Sequence, residues 1–397
     1  MLFVTNRVPS GENPLVSEAN RQLQFKDDFV HATNSLFYCR ADANGEITEV
    51  MSDGFFASLA ERGKMGRKNV LLYIHGYNTS MSKALGKGFS LQTLLDRIAD
   101  KRFEVVTLIW PCTADPQNAE QQVRALKYWN DQDAADMSGP VFGRLLSRFV
   151  FRQAHLPANA EACQMRIHML AHSMGNRVLM NVLNAWGNSI GGGGVPLLCR
   201  NIFLTGADIP NTALERGQPG YAITLAARKV IVYHASDDRK LEESIVANTF
   251  RDGFRGAIEM TARLGDSGPE SLRKTRDNVH AIDCDQFNEQ FDTKTEGGKS
   301  RSVGHSYFLT DSEEAEENPS VAWKAYYQVK GAISPSLYHM AATMLTDRVA
   351  KIGTKRKLKL SPDYVFPPRQ AVPPVATAQP SAAAGATNPV AHASPPG

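Results

Sequence analysis

The sequence predicts an α/β fold, with a mainly parallel sheet of about eight strands and helices on both faces. Short apolar runs that read as buried strands alternate with longer segments of helical periodicity, which is typical of parallel strands joined by crossover helices. The chain has 397 residues, enough for one large domain of this kind, and 42% of them are hydrophobic, as in ordinary globular proteins. No internal repeat indicates another architecture.

The start of the chain predicts an antiparallel edge of the sheet. Residues 2–5 have the apolar composition of a first strand. Residues 36–40 and 46–50 have the same character and are separated by Asn44-Gly45. An Asn-Gly pair favours the tight turn of a hairpin, so we expect these two strands to pair with each other.

The strand–helix alternation begins near residue 69. The predicted strands are 69–74, 104–110, the run that begins at Arg166, 201–206, 229–234 and 279–282. The predicted helices are 82–101, a mostly helical insertion at about 113–152, the segment after Gly175, and a last helix from Ser334 to about 352. The insertion is longer than a simple crossover.

The end of the chain has a different composition. From Val365 onward Pro and Ala dominate, and Arg369 is the only charged side chain. Such a segment buries too little apolar surface to offset its ordering entropy. We therefore predict one domain at 1–360 and a disordered tail at 361–397.

Charge and cysteine content limit the classes of partner. The formal charge of +3 gives no general argument for nucleic acid or an acidic membrane. The five cysteines are scattered and lack metal-ligand spacing, which favours free thiols. The N-terminal residues do not resemble a signal peptide, and no apolar run has the length of a membrane span. These features predict a cytoplasmic protein with neither a nucleic-acid partner nor a membrane span.

The segment Ala171-His-Ser-Met-Gly175 is the most informative motif. It follows a short apolar strand and precedes an amphipathic helix, which is the setting of a nucleophilic serine on a sharp turn. Ala171 and Gly175 flank Ser173 at positions where larger side chains would clash. The usual pattern has Gly at the first small position, where this chain has Ala.

A serine nucleophile needs a histidine to take its proton and a carboxylate to orient that histidine. On an α/β sheet these follow the serine in the order acid, then histidine. The strand at 229–234 leads into a polar loop that contains Asp238, and Gly304-His305 lies in a later polar loop. The order predicts a triad of Ser173, Asp238 and His305.

The oxyanion of an acyl-transfer reaction needs two backbone N–H donors. One is expected from Met174, which follows the serine, and the other from Tyr77 in the loop after strand 69–74. Gly76 permits close approach of a substrate, and Trp110 lies either at the wall of the substrate pocket or at a simple strand end. We expect His75 to hydrogen-bond within its own loop.

Five motifs in a fixed order extend this pattern over most of the chain. They are LYIHGYN at 72–78, LIWP at 108–111, LAHSMGN at 170–176, YHASDDR at 233–239 and GHSYF at 304–308. Together they resemble a bacterial α/β-hydrolase family labelled as a domain of unknown function. The resemblance implies an eight-stranded α/β-hydrolase sheet and the roles of nucleophile, acid and base for Ser173, Asp238 and His305. Cys112 stands where members of that family usually have Ser.

Two assignments stay open at this point. Asp208, after the strand at 201–206, and Asp237 are alternative triad acids. The stretch 119–150 is either a lid over the site or an ordinarily packed helix, since its aromatic residues suit both.

The resulting expectation is a serine hydrolase that cleaves an acyl bond of a small-molecule substrate, a carboxylic ester, without a metal or organic cofactor. A thioesterase, amidase, peptidase or acyltransferase would use the same residues. The alternative from another class is a non-catalytic binding module of the same fold.

Overall fold

The computed structural model describes residues 1–11, 15–26, 31–42, 44–112, 121–154, 165–190, 194–241, 244, 262–291, 293–296, 299–310, 331–349 and 355–365. Residues 366–397, which make up nearly all of the predicted tail, and residues 113–120 of the predicted insertion lie outside this range.

An eleven-stranded sheet organises the chain, in the order β13-β10-β9-β8-β7-β5-β6-β1-β3-β4-β2. Its strands are β1 (Leu2–Arg7), β2 (Gln22–Leu23), β3 (Ala32–Ala41), β4 (Ile47–Glu49), β5 (Asn69–Ile74), β6 (Phe103–Ile109), β7 (Arg166–His172), β8 (Cys199–Thr205), β9 (Ala227–His234), β10 (Val279–Asp283) and β13 (Lys357–Lys359). A separate hairpin joins β11 (Thr293–Glu296) to β12 (Lys299–Ser302).

The strands from β13 to β1 run parallel, and β3, β4 and β2 add an antiparallel edge. This confirms the predicted mainly parallel sheet. The expected number of about eight strands was too small. Strands β2 and β13 were not predicted, because the first has two residues and the second alternates Lys with Leu and so contains no apolar run.

Helices cover both faces of the sheet, as predicted. They are α1 (Met51–Lys64), α2 (Met81–Ala99), α3 (Gln121–Ala154), α4 (Gly175–Ser189), α5 (Tyr221–Ala226), α6 (Leu264–Ser267) and α7 (Pro335–Thr346). Helix α1 was not predicted, since its N-cap Val50 makes no side-chain capping bond. No helix of the described chain is long and apolar enough to cross a membrane.

Alternating side chains of the central strands pack into two separate cores. Leu72 and Ile74 of β5 pack in the core that also contains residues of α1, α3 and α4. Leu71 and Tyr73 point the other way, into the core built with α2 and α7. This period of two is expected of a strand that is buried on both faces.

Helix α3, which contains most of the stretch 119–150, packs along α4. This packing helps to decide whether the stretch is a lid or an ordinary core helix. A Cβ at Gly139 would lie 2.7 Å from the Cβ of Asn181, so the two helices approach closely there. Phe142 and Phe149 are buried in the core, and the Trp186 indole donates a hydrogen bond to Ser147 Oγ at 3.1 Å. The described part of α3 is therefore held as an ordinary core helix.

A buried polar ladder crosses three strands near their N-terminal ends. The Asn201 amide donates to His168 Nδ1 at 3.0 Å, and His168 Nε2 donates to Asn69 Oδ1 at 3.3 Å. Burial lowers the pKa of His168 to about 3, so the ring is neutral in the folded protein. Burial likewise lowers the pKa of His75 to about 3 and that of His339 to about 4.

These buried histidines predict acid-sensitive stability. Each has a folded-state pKa below its unfolded value of about 6.5, so its contribution is present above that pH and is lost as the pH falls toward 4. From pH 7 to pH 5, each histidine is expected to lower the free energy of unfolding by about 2 kcal/mol. Urea unfolding at both pH values measures the effect.

A matched pair of variants tests the source of that loss. His168→Gln should flatten the pH dependence, whereas the same change at the exposed His31 should not. A wild-type free energy of unfolding that is equal at pH 7 and pH 5 would contradict this account.

Candidate active site

The predicted site residues gather at the carboxyl edge of the parallel sheet. Ser173 directly follows β7, Gly76 and Tyr77 follow β5, and Asp238 follows β9. Ligand sites of open parallel sheets lie at this edge.

Ser173 sits on a strained turn between β7 and α4. Its φ of +53° lies in the left-handed region, which costs a non-glycine residue about 1–3 kcal/mol. Space around the turn is tight, because a Cβ at Gly175 would lie 2.5 Å from the His75 carbonyl oxygen and one at Gly76 would lie 2.7 Å from the Ser173 Cβ. The small residue at Gly175 is therefore needed, as predicted from the motif.

Hydrogen bonds hold this strained backbone. The Ser173 N–H donates to the Thr205 carbonyl at 3.0 Å, which ties the turn to β8. The side-chain amide of Asn176 donates to the carbonyls of Ser173 at 2.9 Å and Ala171 at 3.2 Å. Asn176 is fully buried, and sequence reasoning assigned it no role although it directly follows the motif.

Asp238 and His305 form a buried pair. His305 Nδ1 lies 2.7 Å from Asp238 Oδ2, and the other carboxylate oxygen accepts the N–H groups of Lys240 at 3.1 Å and Leu241 at 3.3 Å. Burial raises the pKa of the Asp238 carboxyl, while His305 and the two N–H donors lower it. With Nδ1 donating to the carboxylate, Nε2 is the nitrogen left to take a proton.

The His305 ring reaches the neighbourhood of the serine turn. A Cβ at Gly206 would lie 3.0 Å from ring atoms of His305, and Gly206 directly follows Thr205, the acceptor of the Ser173 N–H. The ring of His172 packs 4.7 Å from the His305 ring, measured between centroids. Ser173 and His305 are both largely buried, each with 7% exposure.

The loop that carries His305 is fixed by contacts that the sequence did not suggest. Gly304 has a φ of +68°, and its carbonyl accepts a hydrogen bond from the Asn288 amide at 3.2 Å. The same amide donates to Asp237 at 2.5 Å. Farther along the loop, the Tyr307 carbonyl accepts hydrogen bonds from Ser334 and Ser336 at the start of α7.

The two alternative acids have other partners. Asp208 accepts hydrogen bonds from Tyr128 at 2.5 Å and from Ser244, and the Arg263 guanidinium lies 3.4 Å away. These contacts tie α3 to the turn after β8. Asp237 accepts from Asn288. Of the three carboxylates, Asp238 is the one that contacts His305.

The loop after β5 lies beside Ser173 and is supported from behind. His75 Nδ1 donates to the Gly76 carbonyl at 2.9 Å, as expected of a histidine that stabilises its own loop. Trp110 stacks on the His75 ring and donates to the His75 carbonyl at 2.8 Å. Trp110 has no exposed surface, and these two contacts support the loop. Its role in substrate binding stays a prediction.

The two expected oxyanion donors lie on the serine turn and on the loop after β5. Met174 is the N-cap of α4, where N–H groups have no partner within the helix. Tyr77 follows Gly76, and its ring packs against Tyr128 with 5.4 Å between centroids. Nearby, the Cys112 thiol donates to Asp131 at 3.1 Å. No cluster of three or more potential metal ligands occurs in the part of the chain that the structure describes.

A match to a protein family agrees with this architecture. The family described as alpha/beta hydrolase of unknown function (DUF900) matches residues 55–311. A solved lipase-esterase related protein from Clostridium acetobutylicum ATCC 824 is similar at 10% identity and a TM-score of 0.24, over 54% of this chain and 85% of that one. No curated protein matches the chain. Because the family match covers more than half of the sequence and the sheet is mainly parallel with helices on both faces, the chain belongs to this α/β-hydrolase family.

Proposed function

We propose that the protein is a serine hydrolase that cleaves a carboxylic ester. The observation that carries this proposal is the buried Asp238–His305 pair, with 2.7 Å between Oδ2 and Nδ1, at the edge where Ser173 occupies a left-handed turn. Family membership supports hydrolase-type chemistry.

In the proposed reaction, Ser173 Oγ attacks the ester carbonyl carbon and its proton passes to His305 Nε2. Asp238 holds the ring in the required tautomer and stabilises the imidazolium. The Met174 and Tyr77 N–H groups donate to the oxyanion. The tetrahedral intermediate then expels the alcohol, which takes the proton from His305 and leaves an acyl group on Ser173.

The second half of the reaction restores the enzyme. Water attacks the acyl carbonyl as His305 removes its proton, and the new intermediate expels Ser173 Oγ. The proton returns to the serine and the carboxylic acid leaves. Trp110 and His75 act indirectly by holding the Gly76–Tyr77 backbone in place.

A panel of aryl esters with graded acyl length tests this function, alongside an aryl thioester and an anilide of the same acyl group. We expect saturable ester hydrolysis with kcat/KM higher for the esters than for the anilide. Faster turnover of the thioester would assign the chain to that class instead. If the folded protein hydrolyses none of them and resists a fluorophosphonate probe, the non-catalytic binding module replaces this proposal.

A further inference from the structure

The edge of the sheet opposite the candidate site carries a row of basic residues. Strand register aligns the N-terminal ends there, because Asn69 of β5 pairs with both Phe103 of β6 and Arg166 of β7. In the sheet order from β6 to β13, the basic residues next to the strand starts include Arg102, Lys68, Arg166, Arg200, Arg228 with Lys229, Arg276, and Lys355 with Lys357. We call this row the basic edge.

Most of the basic edge is open to solvent. Seven of its side chains are exposed and form no ion pair with a carboxylate of the described residues: Lys68, Arg102, Arg166, Arg228, Arg276, Lys355 and Lys357. Arg200 and Lys229 share Asp347, at 3.1 Å and 2.7 Å. Adjacent strands lie about 4.8 Å apart, so positive charge recurs at that spacing across the sheet.

The formal charge of the whole chain, +3, does not reflect this local concentration of basic residues. Among the described residues within ten positions before these strands, the exposed carboxylates are fewer than the basic side chains: Glu61, Asp100, Glu270 and Asp277. Charge of one sign is therefore concentrated at one edge of a nearly neutral protein, which is the pattern of a surface that binds an anionic partner.

A groove opens in the middle of the basic edge. Its volume is about 410 Å³, its charged lining is Arg166, Arg200 and Arg228, and its apolar lining includes Leu197 and Leu198. Guanidinium groups suit phosphate oxygens because they donate two parallel hydrogen bonds. The groove therefore combines phosphate recognition with an aliphatic wall.

Large aliphatic side chains are exposed on the same loops. Met65 after α1, Ile190 at the end of α4 and Leu197 before β8 are 80%, 45% and 59% exposed. Met65 is close to the groove, which Met165 also lines. Gly63, at the same end of α1 as Met65, lies beside Met165, because a Cβ added at Gly63 would be 3.3 Å from the Met165 sulfur. Exposed aliphatic residues among basic ones are typical of proteins that insert into the interfacial region of a bilayer.

We propose that the basic edge docks on the surface of an anionic phospholipid bilayer, with a headgroup phosphate in the groove and Met65, Ile190 and Leu197 in the interfacial region. Single-stranded nucleic acid also attracts basic surfaces, but it is held by aromatic stacking, and these exposed side chains are aliphatic. The candidate active site lies at the opposite edge and would face the aqueous phase. This inference is independent of the chemistry proposed for Ser173.

Vesicle sedimentation with the full chain tests the docking. We expect binding to phosphatidylcholine vesicles that contain phosphatidylserine, weakened by salt, and none to phosphatidylcholine alone. Each basic residue near an anionic surface raises affinity about fivefold, so the Arg166→Glu/Arg228→Glu double variant should lower it by at least about 25-fold. The matched control is Lys26→Glu/Lys127→Glu, which changes net charge equally near the other edge and should bind as wild type.

A second pair of variants separates bilayer binding from general attraction to polyanions. Met65→Ser and Leu197→Ser should each weaken vesicle binding by at least about threefold while leaving retention on a DNA duplex unchanged. Equal losses in the two charge-reversal variants, or no preference for anionic vesicles, would overturn the proposal. DNA binding that is tighter than vesicle binding would overturn it in favour of a nucleic-acid surface. Urea unfolding confirms that each variant is folded.

Discussion

Ser173→Ala is expected to lower kcat for an aryl ester by about 10⁴-fold or more, since removing the nucleophile of such a triad leaves only the contribution of the oxyanion donors and binding. The substitution removes one oxygen and keeps the backbone hydrogen bonds of the turn to Thr205 and Asn176. We therefore expect the free energy of unfolding in urea to change by less than about 1 kcal/mol.

Ser189→Ala is the matched control for this change. Ser189 lies at the far end of α4, is exposed, and donates only to the Trp186 carbonyl among the described residues. Its variant should hydrolyse the ester at the wild-type rate. Retention of most of the activity by Ser173→Ala, in protein free of contaminating esterase, would remove Ser173 from the role of nucleophile.

Asp238→Asn is expected to lower kcat by about 10⁴-fold with a smaller change in KM. The amide is nearly the same size as the carboxylate, but it does not stabilise an imidazolium and it permits the wrong His305 tautomer. The loss should therefore appear in turnover and not in substrate binding. Steady-state kinetics on the same aryl ester measures both parameters.

Asp208→Asn and Asp237→Asn are the comparison for this variant. Asp208 contacts Tyr128, Ser244 and Arg263, so its change should lower the free energy of unfolding by about 1–3 kcal/mol with a small effect on kcat. Asp237 acts on the His305 loop through Asn288, and a loss of less than about tenfold in kcat is expected. Near-normal kcat in Asp238→Asn together with an inactive Asp208→Asn variant would move the triad acid to Asp208.

Some features of the site could be predicted from the sequence because they depend on neighbouring residues in the chain. The small residues around Ser173 follow from the space that a sharp turn allows, and the crowding at Gly175 agrees with that reasoning. Asp238 could be proposed as the acid because β9 is recognisable as an apolar strand, and the loop that follows a parallel strand lies at the carboxyl edge of the sheet.

Other features depend on contacts between distant segments, which no local pattern encodes. The choice among three carboxylates required knowing which of them meets His305 across 67 positions of the chain. Asn288, Ser334 and Ser336 support the His305 loop from segments that lie outside the five motifs. The basic edge could not be predicted either, because its residues come together only when the starts of the parallel strands are aligned.

Two elements show how weak local signals lead to omissions. Helix α1 begins at Met51 directly after β4 without a capping side chain, so the sequence lacks the usual start signal. Strand β13 has charged residues at both ends and is defined by its pairing with β10. Tertiary pairing, and not the intrinsic preference of these residues, determines that strand.

We propose that Ser173 is the nucleophile and that the Asp238–His305 pair activates it. The most direct test is to treat the folded wild-type protein with a fluorophosphonate and to locate the adduct by peptide mass spectrometry. We expect one adduct, on Ser173, whose formation abolishes ester hydrolysis in proportion to labelling. An adduct on another residue that accompanies the loss of activity, or full hydrolysis by protein that carries no adduct, would contradict it.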